Sequence, residues 1–266
     1  MQKITYIDES LQSGLIIRWP TSAMPLKVFV APCRWYAAKG NDNYTYKNMA
    51  IQAFKDWEAS SNGLVSFQFV NSLFESQINL DWKRVDRHAL GHCNFSYDTK
   101  KRLYSAEVNI GLSDGLMHKG YQNKAEVYHT ILHEIGHALG LGHSPFEQDI
   151  MYVPHKYGVS ALSATDKKTL RWLYKLPCSV TPIEAAKKFT NEPFDSADRM
   201  IWYLEGKKTK KVTTSNKKLS QYPKHTYAQR DLLKEQEMIA DMNLYNIMVK
   251  RLTSIKPSKK EDEKEL

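Results

Sequence analysis

The chain is poor in cysteine, with only Cys33, Cys93 and Cys178 among its 266 residues. No two of the three have the short spacing of metal-binding cysteines, and an odd number leaves at least one without a partner inside the chain. One disulfide is compatible with this count, but nothing in the sequence selects its pair. We therefore expect the three side chains to act as small apolar groups in the interior.

Long apolar runs are also missing. No stretch approaches the roughly 18 consecutive apolar residues of a membrane-spanning helix, so we expect no membrane span. Residues 1–9 lack a positive region followed by an apolar core, so no signal peptide is visible. Three interpretations stay open: the protein works inside a cell, it is exported by a route that the sequence does not encode, or the sequence is a mature form.

The composition is that of an ordinary soluble globular protein, with 42% hydrophobic and 25% charged residues. The length allows one substantial domain and an extension. The net charge of +9 includes a lysine-rich stretch at residues 207–218. Because no aromatic interleaving or nucleic-acid motif accompanies these lysines, a solvated linker is favoured and we expect no nucleic-acid partner.

The residues most able to bind a metal or take part in catalysis lie in one short stretch, HEIGHALGLGH. His133 and His137 are four residues apart, so on a helix they share a face and can hold one zinc ion. Glu134 is better placed to contact a water on the metal than to join its ligands. Gly140 can adopt the left-handed conformation that ends a helix, after which His143 can return as a third ligand. The fourth position stays available for water, which is typical of a catalytic zinc site.

The pattern HExxHxxGxxH resembles the signature of the metzincin zinc endopeptidases. It is carried by His133, Glu134, His137, Gly140 and His143. In metzincins a tight turn with a methionine passes under the zinc ligands, and Met151, eight residues beyond His143, matches its place. The resemblance implies that Met151 is an apolar floor for the imidazoles and not a ligand.

Within this group the chain looks most like the matrixins, as a catalytic domain of the bacterial type without a propeptide. Matrixins continue from the methionine into a segment with proline and tyrosine that walls the substrate pocket. Pro154 and Tyr157 resemble this wall, although Val153 makes the spacing imperfect. The phrase Leu-Ser-x-x-Asp at residues 162–166 is similar to the start of the helix that closes a matrixin domain.

The other histidines near the motif are not expected to bind the metal. We expect His155 at the surface or at the rim of the pocket, and His118 and His129 to be solvated or satisfied within the fold. His88 and His92 lie where matrixins carry a loop with a second zinc and calcium ions, but the acidic and glycine pattern of that loop is missing. The expectation is therefore one catalytic Zn²⁺, with calcium not supported.

The pattern of elements predicts an α+β fold. Alternating apolar residues predict five strands, and spacings of three and four predict an amphipathic helix at residues 44–60. The strands are expected at 26–32, 65–70, 78–82, 90–97 and 105–110. This order resembles the matrixin domain, a twisted five-stranded mixed sheet with an active-site helix and a C-terminal helix. In a matrixin-like sheet, the strand at 90–97 would lie at the edge, where an extended peptide could add to it. Alternatively, it is an ordinary strand whose edge is covered.

Capping patterns predict where the two later helices start. Asn123 with Glu126 offers the zinc helix a beginning like a capping box, and Ser163 with Asp166 caps the closing helix. Residues 1–24 are interpreted as a lead-in to the first strand of the sheet.

The domain organisation is expected to change after Pro177. Residues 1–177 would form the catalytic domain, followed by a short helical extension at 178–206 and a basic linker at 207–226. Residues 227–266 would form an amphipathic helix and a charged tail, and the helix would pack on its own domain or on an unknown protein.

The function implied is a zinc-dependent endopeptidase that acts on a protein or peptide substrate, with Glu134 as the general base. Two alternatives stay open: a catalytically inactive zinc-containing protein-binding module, and a metal-dependent amidase on cell-wall peptides. The resemblance implies a secreted or cell-envelope protein, whereas a full-length chain without a signal peptide would be cytoplasmic.

Overall fold

The computed structural model describes residues 4–33, 42–84, 89–112 and 123–205. The strands are β1 Leu11–Gln12, β2 Leu15–Ile16, β3 Leu26–Val30, β4 Phe67–Phe69, β5 Ile78–Arg84, β6 Gly91–Tyr97 and β7 Leu103–Leu112. The helices are α1 Asp42–Ser60, α2 Lys124–Ala138, α3 Ala164–Lys175, α4 Pro182–Ala186 and α5 Ala197–Leu204. Short 3-10 turns lie at Asp8–Ser10, Thr21–Ala23 and Leu73–Glu75.

The centre of the fold is a five-stranded mixed sheet with strand order β4-β3-β5-β7-β6. β3 pairs in parallel with β4 and β5, β5 pairs in parallel with β7, and β6 pairs antiparallel to β7. The predicted α+β class and the five-stranded sheet are confirmed. β6 lies at the edge of the sheet formed by the described residues, the position that binding of an extended peptide would require.

The alternation of apolar residues explains which face of the sheet is buried. Leu26, Val28 and Val30 of β3 are buried, while Lys27 between them is exposed. Against that face, α1 buries the residues that gave it its apolar spacing, Ala50, Ala53, Phe54 and Trp57. The indole Nε1 of Trp57 donates to the carbonyl oxygen of Leu132 at 3.0 Å, which ties α1 to α2.

The expected lead-in at residues 1–24 is wrong in one respect, because much of it belongs to the core. Tyr6, Ile16 and Trp19 are fully buried, and the Nε1 of Trp19 donates to the carbonyl oxygen of Ala138 at 2.8 Å. β1 and β2 form a two-residue-long antiparallel pair, too short to give an alternation pattern that sequence inspection can detect.

Residues 178–205 pack within the same compact unit as the residues before them, Met1–Lys210. α4 starts with a capping box between Thr181 and Glu184 and ends at Ala186. The carboxylate of Asp198 in α5 accepts from the backbone and the hydroxyl of Thr5 at 2.9 and 2.6 Å. The packing therefore continues without a break across the boundary expected at residue 177.

Several other expectations fall outside the described part of the chain: the linker at 207–226, the helix and tail at 227–266, His88 and His118. No disulfide joins the three cysteines; Cys33 is buried, and Cys93 and Cys178 are half-buried. No helix in the described ranges is long and apolar enough to cross a membrane.

Candidate metal centre

The helix α2 begins and ends at the residues that position the motif. The side chain of Asn123 accepts from the backbone N–H of Ala125 at 3.0 Å, which caps the first turn. After the last turn, Gly140 has a φ of +92°, and a Cβ there would lie 2.8 Å from the carbonyl oxygen of Ile17. The predicted chain reversal at this glycine is therefore present.

The loop beyond Gly140 rests on the N-terminal segment. A Cβ at Gly142 would overlap the carbonyl oxygen of Glu9. The backbone N–H of Gly142 donates to the hydroxyl of Ser10 at 2.8 Å. This close approach holds the loop that carries His143. Sequence inspection missed it, because the glycine's role depends on a contact with residues more than a hundred positions earlier.

The reversal brings three imidazoles together. His133, His137 and His143 each offer a nitrogen, and these nitrogens all lie within 4.8 Å of one another. The ring of His143 lies 4.8 Å from that of His137 and 5.4 Å from that of His133, measured between centroids. These are the three predicted ligands. Among the histidine, cysteine and carboxylate side chains of the described residues, they form the cluster that could hold a metal ion.

The hydrogen bonds of two rings fix which nitrogens face inward. The Nδ1 of His133 donates to the carbonyl oxygen of Ile150 at 2.8 Å, and the Nδ1 of His137 donates to that of Leu141 at 2.9 Å. In a neutral ring this leaves a lone pair on each Nε2. The two Nε2 atoms are 3.1 Å apart. Two nitrogens bound to one tetrahedral zinc at about 2.0–2.1 Å are about 3.3–3.4 Å apart, so the donor set fits that ion.

Burial keeps these rings in the form that binds a cation. It lowers the pKa of His133 well below the usual value, with the neighbouring His137 adding to the effect. Burial and the adjacent His143 lower the pKa of His137 to about 4. Both rings are therefore neutral at pH 7 and can donate a lone pair without first losing a proton.

Glu134 lies beside this group and is only 6% exposed. Burial raises the pKa of its carboxyl group to about 8. A carboxyl group with a pKa near neutrality can both accept and return a proton, which is the property a general base and acid needs.

The edge strand β6 passes directly over this carboxyl group. A Cβ at Gly91 would lie 2.7 Å from both the Cγ and the Oε1 of Glu134 and 2.7 Å from the Cγ2 of Thr130. Only a residue without a side chain lets the strand come this close. Sequence inspection placed the strand but gave no signal for this glycine.

Replacing Gly91 with alanine is expected to lower kcat by about ten- to a hundredfold, because a displacement of about 1 Å in a reacting group can cost that much. Zinc content should stay unchanged, since the three imidazoles lie on other elements. Steady-state kinetics and metal analysis of the purified variant measure both, with Ser96→Ala on an exposed position of β6 as the control. An unchanged kcat would show that Glu134 does not depend on this contact.

Met151 is fully buried, and its side chain lies against Gly136 of α2. A Cβ at Gly136 would overlap its sulfur and lie 3.1 Å from its Cε, with Trp57 at 3.2 Å. Gly136 is therefore a packing glycine inside the motif, which the sequence did not reveal. The burial agrees with an apolar, non-ligating methionine.

The turn that carries Met151 is held by buried carboxylates whose link to the site has no local sequence pattern. Asp166 accepts from the backbone N–H of Ile150 at 2.9 Å while it also completes the predicted capping box with Ser163. Ser144, next to His143, donates its hydroxyl to Asp149 at 2.5 Å and its backbone N–H to the carbonyl oxygen of Met151 at 2.7 Å. The sequence shows the capping pattern of Asp166, but it does not show that the same carboxylate also binds the backbone of Ile150.

His129 is buried and hydrogen-bonded within the fold, and His155 is half-buried, as expected; their rings are in contact at 4.1 Å. The expected capping box is wrong. The carboxylate of Glu126 reaches His155 and Gly158 instead of completing a capping box with Asn123. The two residues of the expected pocket wall, Pro154 and Tyr157, are exposed.

The five-stranded mixed sheet, the helix with its two histidines, the glycine reversal and the buried methionine together define a metzincin. A family model described as Matrixin matches residues 35–175, which is more than half of the chain. The chain therefore belongs to the matrixin family, and membership supports a zinc metallopeptidase in general terms.

Two viral relatives carry the name "Putative matrix metalloproteinase". The one from Heliothis virescens ascovirus 3e is 25% identical over 192 residues, which is 62% of this chain and 40% of the relative. The one from Trichoplusia ni ascovirus 2c is 29% identical over 147 residues, which is 48% of this chain and 28% of the relative. The chain thus spans well under half the length of these curated relatives. Among solved structures, myroilysin matches with a TM-score of 0.38 and 18% identity, over 60% of this chain and 98% of that one.

Proposed function

We propose that the chain is a zinc-dependent endopeptidase that hydrolyses peptide bonds in a protein or peptide substrate, with Glu134 as the general base. The observation that carries this proposal is the convergence of the Nε2 atoms of His133 and His137 at 3.1 Å, with each Nδ1 tied to a backbone carbonyl. Two lone pairs at that distance repel each other unless a cation lies between them. A carboxyl group with a raised pKa stands beside them.

His133, His137 and His143 would hold one zinc ion, and the donor set of three nitrogens is that of a catalytic site. Bound zinc supplies a Lewis acid that lowers the pKa of a water molecule to about 7 and polarises a carbonyl group. The carbonyl oxygens of Ile150 and Leu141 hold two of the rings in the tautomer that this binding needs. We include no calcium ion in the proposal.

Glu134 would take the proton of the attacking water and later return it to the leaving amine. Burial raises the pKa of this carboxyl group, so its neutral form is easier to reach than in an exposed glutamate. The close approach of Gly91 limits the positions that the carboxyl group can adopt.

The edge strand β6 offers a route for binding the substrate backbone. It pairs with β7 on one side only in the described sheet, and its residues alternate between half-buried and exposed. An extended peptide could add to the other side through main-chain hydrogen bonds, which make little demand on the side chains of the substrate.

We expect purified protein to cleave casein or a mixed-peptide library at internal bonds, and cleavage to fall to background with 1,10-phenanthroline and return when zinc is added. Mass spectrometry of the products maps the cleaved bonds. A chain that keeps stoichiometric zinc but cleaves nothing would favour the inactive binding module. Release of fragments from cell-wall peptides without cleavage of casein would favour the amidase.

A further inference from the structure

One face of α2 carries a polar stripe that extends beyond the metal ligands. Its members Glu126, His129, His133 and His137 are spaced three, four and four residues apart, which places them above one another along the helix. The last two converge on the metal centre. The first two contact residues 153–159, which follow the methionine turn and are called the wall segment below.

Glu126 uses both carboxylate oxygens on this segment. The Nε2 of His155 donates to its Oε2 at 2.8 Å, and the backbone N–H of Gly158 donates to its Oε1 at 3.1 Å. The side chain of Glu126 is 8% exposed and that of His155 is 15% exposed. Both hydrogen bonds are therefore largely shielded from water, where losing an acceptor of this kind leaves polar groups unpaired.

His129 adds a second attachment one helical turn further along. Its Nδ1 donates to the carbonyl oxygen of Val159 at 2.6 Å, and its ring lies 4.1 Å from that of His155. On its other side, the ring stacks at 6.2 Å on that of His133, with an angle of 15° between the planes. The end of the wall segment is thus attached to the same rigid helix that presents the metal ligands.

The start of the wall segment has a different anchor. Just before it, the carbonyl oxygens of Ile150 and Met151 accept from His133 and from the backbone of Ser144. Between its two anchored ends the segment exposes Val153 and Tyr157, which are 51% and 54% exposed. Large apolar side chains exposed on a segment that is tied to the helix of the metal ligands are suited to contact a bound ligand.

We propose that Glu126 is a positioning residue, which fixes the wall segment at the distance from the metal centre that substrate binding requires. This inference rests on the proposed peptidase function. Glu126 touches neither the reacting atoms nor the metal, so its effect reaches the substrate through His155 and Gly158. Its loss should weaken substrate binding in the ground state and the transition state alike, which raises KM and leaves kcat unchanged.

The test compares two substitutions of Glu126 in the full chain. Glu126→Leu removes both acceptors at similar volume, and we expect it to raise KM for a peptide substrate by at least about tenfold, the factor for one lost buried hydrogen bond. Zinc content and kcat should stay within about twofold of the wild type. Glu126→Gln keeps an acceptor for Gly158 and can donate to His155, so it should restore KM to near the wild-type value.

The matched control is Glu147→Gln, because Glu147 binds the same segment from outside through Lys156 at 2.8 Å. That pair is exposed, so its loss should leave KM unchanged. Hydrogen exchange at the Gly158 N–H gives a readout independent of activity, and Glu126→Leu should accelerate it. If Glu126→Leu does not fold, His155→Ala breaks the same contact from the segment side and should raise KM too.

A wild-type chain that cleaves no peptide would overturn the peptidase function, and this inference with it. A wild type that cleaves, together with an unchanged KM in Glu126→Leu, overturns this inference alone. A parallel loss of zinc content, kcat and thermal stability would also overturn it, because that pattern indicates a purely structural residue.

Discussion

Replacing Glu134 with glutamine is expected to lower kcat by at least about 10³-fold while the protein keeps its zinc, because a positioned general base contributes about 10²–10⁴-fold and the role proposed for Glu134 includes returning the proton. The amide has nearly the same shape as the carboxyl group, so the contact with Gly91 survives, but it cannot accept the proton of a water. Steady-state kinetics and metal analysis of the same sample measure the two quantities together.

A second substitution at this position distinguishes the need for a carboxyl group from the need for its exact position. Glu134→Asp keeps the carboxyl group but withdraws it by one methylene, so it should retain more activity than the glutamine variant and less than the wild type. Unchanged turnover in Glu134→Gln would reject Glu134 as the base. The metal centre and the fold would then have to act with another proton acceptor.

Replacing His143 with alanine is expected to weaken zinc binding by more than about 100-fold, since removing groups that merely orient metal ligands already costs about 10–100-fold. His143 is the most exposed of the three imidazoles and stands on a loop rather than on the helix. Its loss would leave two nitrogens on α2, too few for a stable tetrahedral site. Competition titration with a zinc chelator of known affinity measures the change.

The control for His143 is His92→Ala, which removes an exposed imidazole that contacts Asn94 on β6. It should leave zinc affinity as it is. Equal affinities in the His143 variant and the wild type would remove His143 from the ligand set and leave the third position to be reassigned.

The parts of the site that could be predicted from the sequence are those with a local pattern. The spacing of His133 and His137 predicts a shared helix face, Gly140 predicts the reversal, and alternation predicts the strands.

The remaining features depend on partners far apart in sequence. Glu126 and His155 are 29 positions apart, and Trp19 meets Ala138 across 119. No periodicity links such residues, because helix and strand patterns report only which face a side chain occupies and not what lies opposite. Gly91 and Gly136 were overlooked for the same reason, since a glycine needed for close approach looks like any other glycine in one sequence.

The contact between Gly142 and Glu9 means that the third imidazole depends on a part of the chain that contributes no chemistry. A shortened protein that begins at β3 would retain every residue of the motif, yet lose the surface on which the loop of His143 rests. Removal of the segment around Glu9 and Ser10 is therefore expected to lower metal occupancy, even though these residues are far from the motif in sequence.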